Sequence, residues 1–101
     1  LWRSDTHPEE IIVIWNNSPR YRNPLSVAIS SDGGNSWSPP KDVADLDVVP
    51  KTHAEQQNSY PGITQDRDGN FVAVWQRLLP DGGGREVRWA RFNRSWVIEK
   101  E

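Results

Sequence analysis

The 101-residue chain has no cysteine. Disulfides and thiolate metal sites are therefore excluded, and the redox compartment is left open. It also lacks a basic excess. A formal net charge of -2 does not fit the clustered positive footprint of a nucleic-acid binder. No apolar run approaches the roughly 18 residues of a membrane-spanning helix. No signal-peptide pattern is present. The compartment is unassigned, and an extracellular or periplasmic location is compatible with the sequence. The sequence opens on Leu1, which reads as a fragment of a longer protein. Helical periodicity is missing too: no segment carries apolar residues at i, i+3, i+4 and i+7 over three turns.

What is present is β-type sequence. Short β-branched and aromatic runs alternate with Gly, Pro, Asn and Asp. With helix signals scarce, these runs read as an all-β fold class, in a chain that also carries six tryptophans, seven glycines and eight prolines. The strongest strands are "IIVIWN" (11–16) and "NFVAVWQ" (70–76), both nearly continuously apolar, as expected of strands buried on both faces. Each ends in Trp followed by an amide, Trp15-Asn16 and Trp75-Gln76, sixty residues apart. A polar turn precedes each, a Pro- or Gly-containing loop follows each, and an alternating strand comes next, "LSVAIS" (25–30) and "VRWARF" (87–92). A turn and a further tryptophan, Trp37 and Trp96, close each unit.

One supersecondary unit is thus written twice, in the order strand, turn, strand, loop, strand, turn, strand. A four-stranded antiparallel meander of this kind has the outline of a propeller blade. The expected organisation is one blade over 1–48, a linker over 49–58 and a second blade over 59–101. Within the linker region, "VPKTHAEQQ" reads as either a short helix or an excursion beside a site. A single blade cannot bury both faces, so blades must stack on neighbours.

Between the third and fourth strands of the first unit lies "SSDGGNSW" (30–37), which fits S-x-D-x-G-x-x-W through Ser30, Asp32, Gly34 and Trp37. These residues predict a folding device. Asp32 accepts hydrogen bonds from backbone N–H groups of its own turn. Gly33 and Gly34 take positive φ without steric cost. Ser30 ties the turn to its neighbour, and Trp37 folds back over the blade as an apolar plug. A phosphate loop would need Gly-Lys-Ser/Thr after the glycines, and a calcium loop would need more carboxylates in register. Neither is present, and no metal or cofactor is expected. Asp66 and Asp68 in "DRDGN" are hairpin-turn formers. His7 and His53 are lone histidines in polar segments with bland surface roles, and "DGGGR" (81–85) is a flexible loop.

S-x-D-x-G-x-x-W resembles the Asp-box of bacterial neuraminidase (BNR) repeats. The wider run "RNPLSVAISSDGGNSWSPP…SYPGITQDRDGNFVAVWQ" is similar to the C-terminal part of sialidase-like BNR proteins. The resemblance spans about residues 9 to 96. It implies about two four-stranded antiparallel blades of a six-bladed sialidase-type β-propeller. It also implies an exo-sialidase-like glycoside hydrolase acting on terminal acidic sugars of glycans. The alternative is a non-catalytic Asp-box propeller module that binds glycan or protein. A third reading is a two-blade chain that self-associates as a trimer into a six-bladed ring.

The resemblance also implies site residues. Family members clamp the sugar carboxylate with three arginines, one of which lies just before the strand entering a late Asp-box. Arg22 in "YRNPLSVAIS" holds that position, with Arg20 as its competitor. A planar guanidinium suits a carboxylate because it binds bidentately. The family nucleophile is a tyrosine at the start of a late inner strand. Tyr60 in "NSYPGITQD" matches it, and sialidases are the glycosidases that use Tyr rather than a second carboxylate. Its bland alternative is a half-buried tyrosine at a strand start. Pro61 stands where many members have a small hydroxyl residue, and Gln76 where they often have a glutamate. The acid–base aspartate, the other arginines and the glutamate partner of the tyrosine belong to earlier blades, so the isolated chain is expected to be inactive. The expected partners are a sialylated or other acidic glycan, the remaining blades or further copies of the chain, with no nucleic acid and no membrane span.

Overall fold

Two antiparallel sheets stack face to face around one apolar core. The computed structural model describes residues 1–18, 24–44, 58–78 and 84–99. The first sheet, sheet A, has strand order β1 (Trp2–Arg3), β2 (Ile11–Asn16), β3 (Leu25–Ser30) and β4 (Lys41–Ala44). The second, sheet B, has the order β5 (Asn58–Gln65), β6 (Phe71–Leu78) and β7 (Arg85–Phe92). A short helix, α1 (Arg94–Ile98), ends the described chain. Arg20 and Arg22, His53, most of the 49–58 linker with "VPKTHAEQQ", and 81–83 of the glycine loop lie outside the described residues.

The expected strands appear at 11–16 and 25–30, and those at 70–76 and 87–92 lie within or one residue beside longer strands. The turn at 31–36 is also found. The second unit differs in its last element: where a fourth strand was expected, Trp96 lies in α1. The cause is local. Asn93 has extended backbone, and its Oδ1 accepts from the Trp96 N–H at 2.8 Å, an N-cap that turns the chain at the end of β7. Val97 then enters the core, and Trp96 packs against Phe92 with ring centroids 5.2 Å apart.

The core joins Ile12, Ile14, Leu25, Val27 and Ile29 of sheet A to Phe71, Ala73 and Trp75 of sheet B, with Val97 from α1. Fully burying an aliphatic side chain of this size contributes roughly 1.5–3 kcal/mol. Burial on both faces holds for β3, all six of whose residues are buried. In β2 and β6 it does not hold. Ile12 and Ile14 are buried while Ile11, Val13 and Trp15 are half-buried, and Phe71, Ala73 and Trp75 are buried while Val74 is 45% exposed. The outward residues of β3 are the small Ser26, Ala28 and Ser30, paired with the larger Trp15, Val13 and Ile11 of β2, whereas the larger outward residues of β2 and β6 stay partly uncovered because two sheets shield only the faces between them.

The hairpin between β5 and β6 is closed as its residues dictate. Asp66 Oδ1 accepts from the N–H groups of Asp68 (2.9 Å) and Asn70 (3.0 Å), and Gly69 takes φ 84°. Arg91 ties both Asp66 and Asp68 to β7. Partial burial would raise the Asp66 pKa. The two backbone N–H groups and Arg91 outweigh it and hold the carboxyl below its ordinary value. No helix among the described residues is long and apolar enough to cross a membrane.

Candidate functional site

The strand ends define two poles of the stack. β2 and β3 pair from Ile11 with Ser30 to Asn16 with Leu25, so Ser30 and its turn lie at one pole and Asn16 and Leu25 at the other.

At the first pole, the 30–37 turn is held by its own polar groups. Ser30 is buried; its Oγ donates to Asp32 Oδ1 (2.8 Å) and accepts from the Gly34 N–H (2.8 Å). Asp32 Oδ1 also accepts from the Ser36 N–H (2.9 Å), and Asp32 Oδ2 accepts from the Ser36 hydroxyl. Gly33 and Gly34 have φ of 74° and 98°, where a side chain would be strained. The Gly33 N–H donates to the Glu9 carbonyl (2.9 Å), which ties the turn to the β1–β2 connection. Trp37 Nε1 donates to the Gly34 carbonyl at 3.1 Å. The Trp37 indole is 44% exposed, so it covers its own turn rather than plugging the blade. It lies along the outer face of sheet A beside Val13, Trp15, Ala28 and Pro40.

These bonds carry a pH prediction. The Ser36 hydroxyl, then the Ser36 N–H and the Ser30 hydroxyl, lower the Asp32 pKa from 3.8 to about 2. A carboxyl lowered by folding adds stability that is complete above its unfolded pKa and is lost as pH falls toward its folded pKa. The difference in melting temperature between wild type and Asp32→Asn should therefore be constant above about pH 5 and should shrink between about pH 4 and pH 2. A difference that stays constant down to about pH 2 would show that the carboxylate is not the anchor of the turn.

At the second pole, the two sheets are clamped through Asn58. It is fully buried. Its carbonyl accepts from Asn16 Nδ2 of β2 at 2.8 Å, and its Oδ1 accepts from Trp75 Nε1 of β6 at 3.1 Å. Arg77 lies opposite Asn58 in the β5–β6 ladder, and its Nε is buried without a hydrogen-bond partner among the described residues. Asn58 falls in the stretch that reads as linker, and nothing local marks it. The amides after Trp15 and Trp75 mark the repeat, but only the tertiary contact shows that the Trp75 indole and Asn16 meet on Asn58.

Tyr60 lies two residues further along β5. The ladder pairs Ser59 with Gln76 and then Gly62 with Val74, so Tyr60 and Pro61 together oppose Trp75 alone. This is a β-bulge, and Pro61 explains it: proline has no N–H to give the ladder and is confined to edges and bulges within sheets. Tyr60 takes φ 54°, the sole positive φ of a non-glycine residue among those described. A left-handed conformation costs a side-chain-bearing residue roughly 1–2 kcal/mol. Such strain persists where the surroundings impose it and concentrates at functional sites. Here the buried Asn58 and Ser59 on one side and the rigid Pro61 on the other impose it. The Tyr60 residue is 70% exposed.

The pole that carries Tyr60 also carries Asn16 and Leu25, the strand ends joined by the segment containing Arg20 and Arg22. The Asn17 N–H donates to the Pro24 carbonyl at 2.8 Å, closing that connection at its base. The Asp-box residues lie at the far pole. No group of three or more His, Asp or Glu able to hold a metal occurs among the described residues.

A family model described as a BNR repeat-like domain matches residues 4–73, from just after β1 into β6. Searches of curated proteins and of solved structures gave no match. The match takes in the 30–37 turn, Asn16, Asn58 and Tyr60, and extends over more than half of the sequence; the chain belongs to the BNR repeat-like domain family.

Proposed function

We propose that these two sheets form part of an exo-sialidase-like glycoside hydrolase that acts on terminal acidic sugars, with Tyr60 as nucleophile and Arg22 as a ligand of the sugar carboxylate. The observation that carries the reading is the extruded, strained Tyr60 at the pole that also bears the ends of the arginine-containing segment. The anomeric carbon of a sialoside bears a carboxylate, so a second anion brought against it would be repelled. A phenol that loses its proton only as it attacks avoids this.

In the proposed step the Tyr60 oxygen forms a bond to the anomeric carbon while the bond to the aglycone oxygen breaks. The phenolic proton passes to a carboxylate base, and the leaving oxygen takes a proton from a carboxylic acid, both from other blades. Water then cleaves the glycosyl–tyrosine bond, restoring the phenol. Arg22 anchors the sugar carboxylate, with Arg20 as the lesser candidate. The half-buried Arg77, whose Nε is shielded from solvent, adds positive charge at the same pole.

The test is covalent trapping in the natural full-length chain. A fluorinated sialyl donor, slow to hydrolyse once attached, should label the peptide containing Tyr60, as read by peptide mass spectrometry. Arg22→Ala should slow labelling more than Arg20→Ala. A label on a different residue removes Tyr60 from the mechanism. The second reading, a non-catalytic Asp-box module, is favoured by the way the 30–37 turn keeps its polar groups within the turn and its neighbours. It predicts no label together with retained glycan binding.

A further inference from the structure

The two amide residues that mark the repeat meet at one place. Asn16 follows Trp15 at the end of β2, and Gln76, sixty residues on, follows Trp75 in β6. Asn16 Nδ2 donates to the Asn58 carbonyl at 2.8 Å, and Gln76 is the ladder partner of Ser59. One such residue from each sheet therefore meets the buried pair Asn58 and Ser59, and the next residue is Tyr60.

The ladder by itself cannot hold Tyr60. Its register slips between the pairs Ser59–Gln76 and Gly62–Val74, and Pro61 has no N–H to give. Tyr60 is also exposed, so its placement depends on its backbone. That backbone is fixed crosswise at Asn58. The Asn58 carbonyl is held from sheet A by Asn16, and its side chain is held from sheet B by the Trp75 indole at 3.1 Å. A hydrogen bond to a buried carbonyl is strengthened by its low-dielectric surroundings, and it fixes the peptide plane that leads into Ser59 and Tyr60. The φ of 54° at Tyr60 is unfavourable for a residue with a side chain, so a bulge released from its anchors relaxes to negative φ.

We propose that Asn16 is a positioning residue for Tyr60: its bond to the Asn58 carbonyl carries the placement of sheet A into the bulge and holds Tyr60 left-handed, with its hydroxyl where the reaction needs it. The catalytic consequence rests on the nucleophile reading of Tyr60; the conformational one does not. A nucleophile tolerates little error, since a misplacement of about 1 Å can cost on the order of 100-fold in rate. Two residues outside the ladder do not give that precision, whereas a second sheet bonded at the root of the bulge does.

The test is a double-mutant comparison in the natural full-length chain. Tyr60→Gly and Tyr60→Ala are made with Asn16 intact and again with Asn16→Leu, which keeps the volume and removes the donor. With Asn16 intact, the glycine variant should melt above the alanine variant. With Asn16→Leu the gap should close, because residue 60 is no longer held at positive φ. A gap of the same size in both backgrounds, which is what additivity gives for a purely structural Asn16, overturns the proposal. So does the absence of a gap in both. With Tyr60 in place, Asn16→Leu should lower kcat on a sialoside about 100-fold and leave KM unchanged. A closed gap with unchanged kcat overturns the positioning role. A closed gap in a chain whose wild type hydrolyses no sialoside supports the clamp and overturns the nucleophile reading instead. Should Asn16→Leu fail to fold, Asn16→Asp, similar in size and likewise without the amide donor, takes its place.

Discussion

Tyr60→Phe in the natural full-length chain should lower kcat by several orders of magnitude while leaving the fold and the affinity for a sialoside in place. The argument starts from exposure. The tyrosine is 70% exposed, so removing its hydroxyl does not open a cavity. The phenyl ring and the backbone, including φ 54°, are retained. What is removed is the atom proposed to bond the anomeric carbon, an interaction present only along the reaction path, and such losses appear in kcat rather than KM. Unchanged kcat in Tyr60→Phe, with sialosides still hydrolysed, would end the nucleophile assignment. A paired experiment separates chemistry from strain. Tyr60→Ala and Tyr60→Gly both lack the ring, but only glycine adopts positive φ without cost. Tyr60→Gly should be the more stable of the two by about 1 kcal/mol, and both should be inactive. Equal melting temperatures for Ala and Gly would show that the bulge stores no strain.

The second large effect lies in the core, and it contrasts two tryptophans on adjacent strands. Trp75→Ala should destabilise the chain by about 3–5 kcal/mol, the range for truncating a buried aromatic. Trp75 is 6% exposed, sits between the sheets, and its indole N–H satisfies the buried Asn58 Oδ1. In a domain this small, a loss of about 3 kcal/mol lowers the melting temperature by more than about 12 °C. Total stability is only about 5–15 kcal/mol in ordinary domains, so a large unfolded fraction is expected. Trp89→Ala, one strand away on the opposite face, should change the stability of the dilute monomer by no more than about 0.5 kcal/mol. Chemical denaturation of both variants checks this. Comparable losses for the two would mean that Trp89 is already covered within one chain.

The repeat, the strands at 11–16 and 25–30 and the 30–37 turn are legible because their causes are local. Alternation or continuity of apolar residues sets a strand, and Ser30, Asp32 and two glycines close a turn with bonds spanning no more than four residues. Tyr60 stands out beside Pro61 only through the family resemblance. Its bulge follows from the missing proline N–H, but its direction follows from Asn58 and Ser59 being held in the core.

The remaining features depend on contacts between residues far apart in the chain. Asn58 looks like linker until Asn16, 42 positions away, and Trp75, 17 positions away, meet on it. The residue pattern of β6 is apolar on both sides, and nothing in "FVAVWQ" says which side sheet A will cover. Packing settles that: Phe71, Ala73 and Trp75 turn inward, and Val74 is left with Trp89 in the open. The same holds for the end of the second unit, where Asn93 capping and burial of Val97 favour a single helical turn over a fourth strand. Hydrophobic pattern states that a face must be buried. Which partner buries it is a property of the assembled sheets, because burial energy rewards any apolar surface alike and only geometry selects among them.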